Sequence, residues 1–127
     1  MKKIIAAKMA PEAVGPYSQA VDCGDTVFLS GQIGINPESG KLEEGIAAQA
    51  HRVFKNLEEV LKASELSFGD VVKATVLLSD MQDFQTVNEI YKEYVPPPYP
   101  ARICFQVPAM PLNALVEIDM IARRVEG

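Results

Sequence analysis

Hydrophobic and polar residues alternate along two stretches late in the chain. Between Pro100 and Val107, Ala101, Ile103, Phe105 and Val107 fall on one side of an extended backbone, and Arg102, Cys104 and Gln106 on the other. From Leu115 to Arg123 the apolar set is Val116, Ile118, Met120 and Ala122, with Glu117 and Asp119 opposite. The intervening segment, Pro108 to Ala114, is turn-like, with two prolines and Asn113. The expectation is a pair of adjacent antiparallel strands. That pairing would place Arg102, Cys104 and Glu117 on one shared face. Read alone, a cation and a carboxylate there are a cross-strand ion pair of small worth.

The rest of the chain follows the same two periodicities. Lys2 to Ala7 predicts a short strand, which Pro11 and Gly15-Pro16 end. Gln19–Cys23 and Thr26–Ile33 predict a hairpin turning at Gly24-Asp25, with Val27, Leu29, Gly31 and Ile33 on one face. A glycine inside a strand marks a bulge or a close approach by backbone or ligand, and Gly31 fits both. Asn36 to Gly40 reads as a loop, and the Gly40-Lys41 neighbourhood lacks the spacing of a nucleotide-binding loop. Gly45 to Ser64 carries Ile46, Ala50, Val53, Phe54, Leu57, Val60 and Leu61 at helical spacing. His51 borders that stripe, with no partner in view. Val71 to Leu78 predicts a strand apolar on both faces, with Val72, Ala74, Val76 and Leu78 on one of them. Asp80 is a plausible N-cap for a second helix that buries Phe84, Val87, Tyr91 and Tyr94 and carries Asn88 one turn after Phe84. Pro96 to Pro100 is a stiff connector into the Arg102 strand.

Two or three strands, a helix, a strand, a helix and two strands make an α+β layer with one sheet and two helices, expected as a single domain over residues 1–127. Two helices cover only one face of such a sheet. The other face remains apolar and calls for self-association.

Composition narrows the function. A net charge of −5 disfavours a nucleic-acid binder, which needs a basic footprint. Cys23 and Cys104 lack metal-like spacing and His51 is the only histidine, so no metal site is expected. Apolar runs are too short to span a membrane, and Met1 to Ile5 lacks the apolar region of a signal peptide. The expected location is the cytoplasm, with both thiols reduced.

Four separated stretches resemble the RidA (YjgF) family of reactive-intermediate deaminases. They are Gly15-Pro16-Tyr17-Ser18-Gln19-Ala20, Ser30-Gly31-Gln32-Ile33, Asp83-Phe84 with Val87-Asn88, and Pro100-Ala101-Arg102 with Cys104 and the later Val116-Glu117-Ile118. Their order and spacing match the family over nearly the whole chain. Two departures, the proline-rich Pro96 to Pro100 and the bulky Ile103, bear on the pocket rim and so on substrate range.

The resemblance implies a chorismate-mutase-like subunit of the bacillary type, with one mixed sheet and two helices on one face, assembled as a homotrimer with pockets between subunits. It implies cofactor-free hydrolysis of 2-imino acids, such as 2-iminobutanoate and 2-iminopropanoate, to keto acids and ammonia. These imines follow from enamines released by pyridoxal-phosphate enzymes. Tyr17, Ser30, Gly31, Asn88, Arg102 and Cys104 are the implied substrate-binding residues. Arg102 suits a carboxylate, because its planar fork donates two parallel hydrogen bonds. Glu117 suits a general base for water. Cys104 lacks an adjacent base, so its main chain and shape matter more than its sulfur. A non-catalytic module that binds small carboxylates would also need Arg102 but gains little from Glu117. A nuclease, or a thiol-based redox sensor or holdase, are further alternatives.

Overall fold

A computed structural model describes residues 2–124 of the 127-residue chain. The elements are β1 (Lys3–Ile5), β2 (Ala20–Asp22), β3 (Thr26–Ile33), α1 (Ile46–Ala63), β4 (Val71–Leu78), α2 (Phe84–Tyr94), β5 (Ala101–Gln106) and β6 (Val116–Arg123). The strands form one sheet in the order β1-β2-β3-β6-β4-β5. Only β4 and β5 run parallel, and every other neighbouring pair is antiparallel.

Both helices lie on one face of this mixed sheet. Ala50, Val53, Phe54, Leu57, Val60 and Leu61 of α1 are buried with Val87, Ile90 and Tyr91 of α2. They meet Val27 and Leu29 of β3, Ala74, Val76 and Leu78 of β4, and Val116, Ile118, Met120 and Ala122 of β6. Each fully buried aliphatic or aromatic side chain in that layer contributes about 1.5–3 kcal/mol. Two polar residues fix the height of α1 over the sheet. Asn56 donates to the carbonyls of Ile33 and Ile35 at 3.2 and 3.0 Å, and Gln49 accepts from the Leu115 N–H at 2.9 Å. Gly34 allows the approach, since a Cβ there would lie 2.7 Å from the Gln49 carbonyl oxygen. Asp80 caps a single turn, Met81–Asp83, that leads into α2, accepting from the Gln82 N–H at 2.9 Å.

The alternate side chains form the second face. Ile4, Phe28, Ile103 and Phe105 lie there, each about half exposed at 53%, 47%, 50% and 45%.

Three expectations are corrected. The strands carrying Arg102 and Glu117 are not neighbours, because β4 lies between them. Strand β5 follows the helix α2, and a strand–helix–strand unit closes with its two strands parallel. Leu77 pairs with both Phe105 and Glu117, while Ala74 pairs with both Arg102 and Met120. Arg102 and Cys104 therefore share the helix-covered face, and Glu117 points to the open one. Second, the ladder of β3 shifts register between Leu29 and Gln32, so Gln32 is buried and Ile33 pairs beside Glu117 on the open face. Third, an irregularity between Val71 and Lys73 turns Val71 inward and leaves Val72 exposed.

Replacing Gly34 by alanine will push α1 off β3 and destabilise the protein by about 1–3 kcal/mol. Urea unfolding of Gly34→Ala checks this, and an unchanged midpoint would contradict the tight packing.

Candidate active site

The residues singled out in the sequence separate into two groups. The first surrounds a cleft of about 580 Å³ lined by Tyr17, Gly31, Ile33, Leu112 and Glu117, among others. Glu117 stands on β6 between Ile33 and Leu77. It is half-buried, and among the described residues no cation lies within ion-pair distance of it. Burial pushes its carboxyl above the ordinary value of 4.5, and the negative charge of Asp119 adds to the shift. The bulge in β3 brings Gly31 against this carboxylate. A Cβ at Gly31 would stand 2.5 Å from Glu117 Oε2, so only glycine leaves the carboxylate where it is.

Tyr17 reaches the cleft from the loop between β1 and β2 and is 53% exposed. Gln19 holds that loop. Its buried side chain accepts from the Ala7 N–H and donates to the carbonyls of Ala7 and Pro11 at 3.2 and 2.7 Å. Ser30 does the same from β3, donating its hydroxyl to the Ser18 carbonyl at 2.6 Å. The Ser30 side chain is thus committed to the loop and does not line the cleft. Leu112 closes the rim, 66% exposed and in the left-handed region at φ 57°, a costly conformation for a leucine.

The second group lies on the helix-covered face at the β5 edge. Arg102 donates Nη1–H to Asn88 Oδ1 of α2 at 2.9 Å. Its guanidinium carbon sits 4.7 Å from the ring centre of Tyr91 and 5.7 Å from that of Phe84. Among the described residues no carboxylate pairs with it. A smaller cleft of about 270 Å³ opens there, lined by Asn88, Tyr91, Lys92, Tyr99, Pro100 and Arg102. Cys104 points the same way as Arg102 and packs partly against the core. Burial raises its thiol pKa, opposed by the Arg102 charge, so the sulfur is held as a thiol.

One group thus carries a half-buried carboxylate held at raised pKa in a cleft of mixed lining, and the other a preoriented guanidinium with no carboxylate partner among the described residues. The first can take a proton and the second can hold an anion. Opposite faces of one sheet keep them apart within a chain. Sequence reasoning missed the roles of Gln19 and Tyr91. A buried glutamine where a loop enters a strand was the available signal for the first, and three-residue spacing from Asn88 for the second. It also left His51 unpartnered, whereas its Nδ1 lies 2.9 Å from the Tyr94 hydroxyl.

Comparison with known proteins gives a consistent picture. Residues 7–124 match the family model described as endoribonuclease L-PSP. The chloroplastic Reactive Intermediate Deaminase A of Arabidopsis thaliana is 50% identical over 95% of this chain, which spans 65% of that protein's length. A 2-iminobutanoate/2-iminopropanoate deaminase of Mus musculus is also 50% identical, over 96% of this chain and 91% of its own. The crystal structure of Escherichia coli TdcF with bound serine superposes with a TM-score of 0.90, at 40% identity, over 97% of this chain and 99% of its own. The chain therefore belongs to the endoribonuclease L-PSP family, also known as the RidA (YjgF) family.

Proposed function

We propose that this protein hydrolyses reactive 2-imino acids, such as 2-iminobutanoate and 2-iminopropanoate, to 2-keto acids and ammonia, in sites built between copies of the chain. The observation that carries the reading is the pairing of an unpaired, preoriented Arg102 with a desolvated Glu117 in a protein half-identical to a deaminase of that name. The serine held by the TdcF relative carries the same α-carboxylate.

In this reading Arg102 takes the substrate carboxylate through its free N–H groups. Glu117 accepts a proton from water as the oxygen bonds to the imine carbon and the C=N π electrons move to nitrogen. The nitrogen takes that proton from Glu117 to give the carbinolamine. Glu117 then accepts the hydroxyl proton and passes it to the same nitrogen, and the C–N bond breaks as the oxygen's electrons form the carbonyl, releasing ammonia and the keto acid. In the same reading, backbone groups of Gly31 and Cys104 hydrogen-bond the intermediate, and Tyr17 and Asn88 shape the pocket. No step calls on a cofactor or metal.

Because Arg102 and Glu117 face opposite sides of the sheet, a working site takes Glu117 from one copy and Arg102 from another. A homotrimer supplies this arrangement and covers Phe28, Ile103 and Phe105. Free Cys23 and Cys104 suit a reducing compartment such as the cytoplasm. The functional neighbours are pyridoxal-phosphate enzymes that release enamines. RNA cleavage, which the family model's description names, is disfavoured by the charge of −5 and by a lone histidine already engaged by Tyr94.

A dehydratase generating the imine in situ, with keto-acid release followed, tests the reading. Arg102→Ala will lower kcat/KM by about 10²–10⁴-fold, the loss of two charge-assisted hydrogen bonds. Glu117→Gln will abolish the acceleration. Randomly mixed assemblies of the two variants will recover about one quarter of wild-type activity, since each site draws on two copies. No recovery would place both groups in one chain, and no acceleration by the wild type would leave only a carboxylate-binding module.

The base must be ionised, so kcat/KM will fall with acid along a limb lying above 4.5, and a limb at or below that value would remove Glu117 from the role. The same raised pKa has a stability sign. The folded chain binds this proton more tightly than the unfolded chain, so its contribution declines as pH rises through the interval. Above it the buried charge is a cost, and Glu117→Gln will melt no lower than the wild type at pH ~7. Cys104→Ala will keep activity within about threefold, because the thiol is not ionised. A collapse to the Arg102→Ala level would restore the sulfur as a participant.

A further inference from the structure

We propose that Tyr91 is the positioning residue for Arg102, its ring setting the plane in which the guanidinium meets the substrate carboxylate. The inference rests on the reading that Arg102 holds that carboxylate. Arg102 projects from β5, the edge strand of the sheet, and is itself largely exposed. A long exposed side chain at an edge has no intrinsic orientation. Two close contacts supply one, beside a longer one to the Phe84 ring at 5.7 Å. Asn88 Oδ1 accepts from Nη1 at 2.9 Å and fixes the guanidinium within its plane. The Tyr91 face, 4.7 Å from the guanidinium carbon, fixes the plane itself and excludes water from one side. Asn88 and Tyr91 are three residues apart on α2 and so present both contacts from one face of the helix.

The platform is rigid because it is anchored in the core. Tyr91 is 4% exposed and meets Phe54 edge to face, with ring centres 5.8 Å apart at 83°. Phe54 is fully buried. The Tyr91 hydroxyl is buried with no hydrogen-bond partner among the described residues. Position 91 therefore uses the ring and gains nothing from the oxygen. Orientation thus passes from the core through Phe54 to Tyr91 and on to Arg102.

The test measures affinity for 2-oxobutanoate together with KM and kcat. Tyr91→Phe keeps the ring and will stay within about twofold of wild type in all three. Tyr91→Leu, and the longer, more adaptable Tyr91→Met in case the first does not fold, will weaken 2-oxobutanoate and raise KM about tenfold with a smaller change in kcat. In an Arg102→Lys background, which lacks the planar fork, the same Tyr91 substitutions will change affinity less than about twofold. Equal losses in both backgrounds, or a tenfold loss in Tyr91→Phe, would overturn the proposal. Independently of any variant, the Arg102 side-chain protons of the wild type will show upfield ring-current shifts in NMR, and random-coil shifts would overturn it. If the wild type binds 2-oxobutanoate with this coupling but hydrolyses no imine, the deaminase reading falls and the positioning role stands. If Arg102→Lys matches wild type throughout, the reading of Arg102 falls with it.

Discussion

A single sheet with both its helices on one side has a covered face and an uncovered one, and side chains alternate between them without exception along a regular strand. That alternation governs this molecule. It sends Val116 and Ile118 into the core and Glu117 between them to the open face. On β5 it turns Arg102 towards α2, where Asn88 and Tyr91 receive it, and exposes Ile103 and Phe105 on the opposite side. The carboxylate of Glu117 and the guanidinium of Arg102 are thus split across the thickness of one sheet.

Much of this was legible in the residue pattern. The apolar and polar sets of β5 and β6 fell out of simple alternation, and the buried stripe of α1 out of helical spacing. What alternation cannot supply is which strand lies beside which. Pro108 to Ala114 looked like a hairpin connection, and proximity in sequence favoured pairing its flanks. The overlooked signal was the order of elements. Strand β4, helix α2 and strand β5 form a strand–helix–strand unit with its two strands parallel and adjacent, while β3 and β4 are parallel strands held apart by β6. Bulges were the second blind spot. Gly31 announced one, but its effect on register, which exchanges the faces of Gln32 and Ile33, depends on the partner strand.

The two ionisable groups nearest the proposed chemistry show how position selects a role. Burial raises the pKa of both Glu117 and Cys104. For a carboxylate this moves proton affinity towards the range useful to a base, whereas for a thiol it moves the group away from nucleophilic reactivity. Arg102 lowers the Cys104 pKa, but burial is the larger influence. One physical cause thus equips one residue and quiets the other.

The uncovered face also shapes the first moments of the protein's life. A newly made chain holds within itself the residues of its helix-side core. It then carries Ile4, Phe28, Ile103 and Phe105 in the open, on a sheet that ends in the unpaired backbone edge of β5. Such a surface is adhesive towards any exposed strand. An apolar face left open in this way prolongs the interval in which a new chain attracts chaperones and other exposed strands.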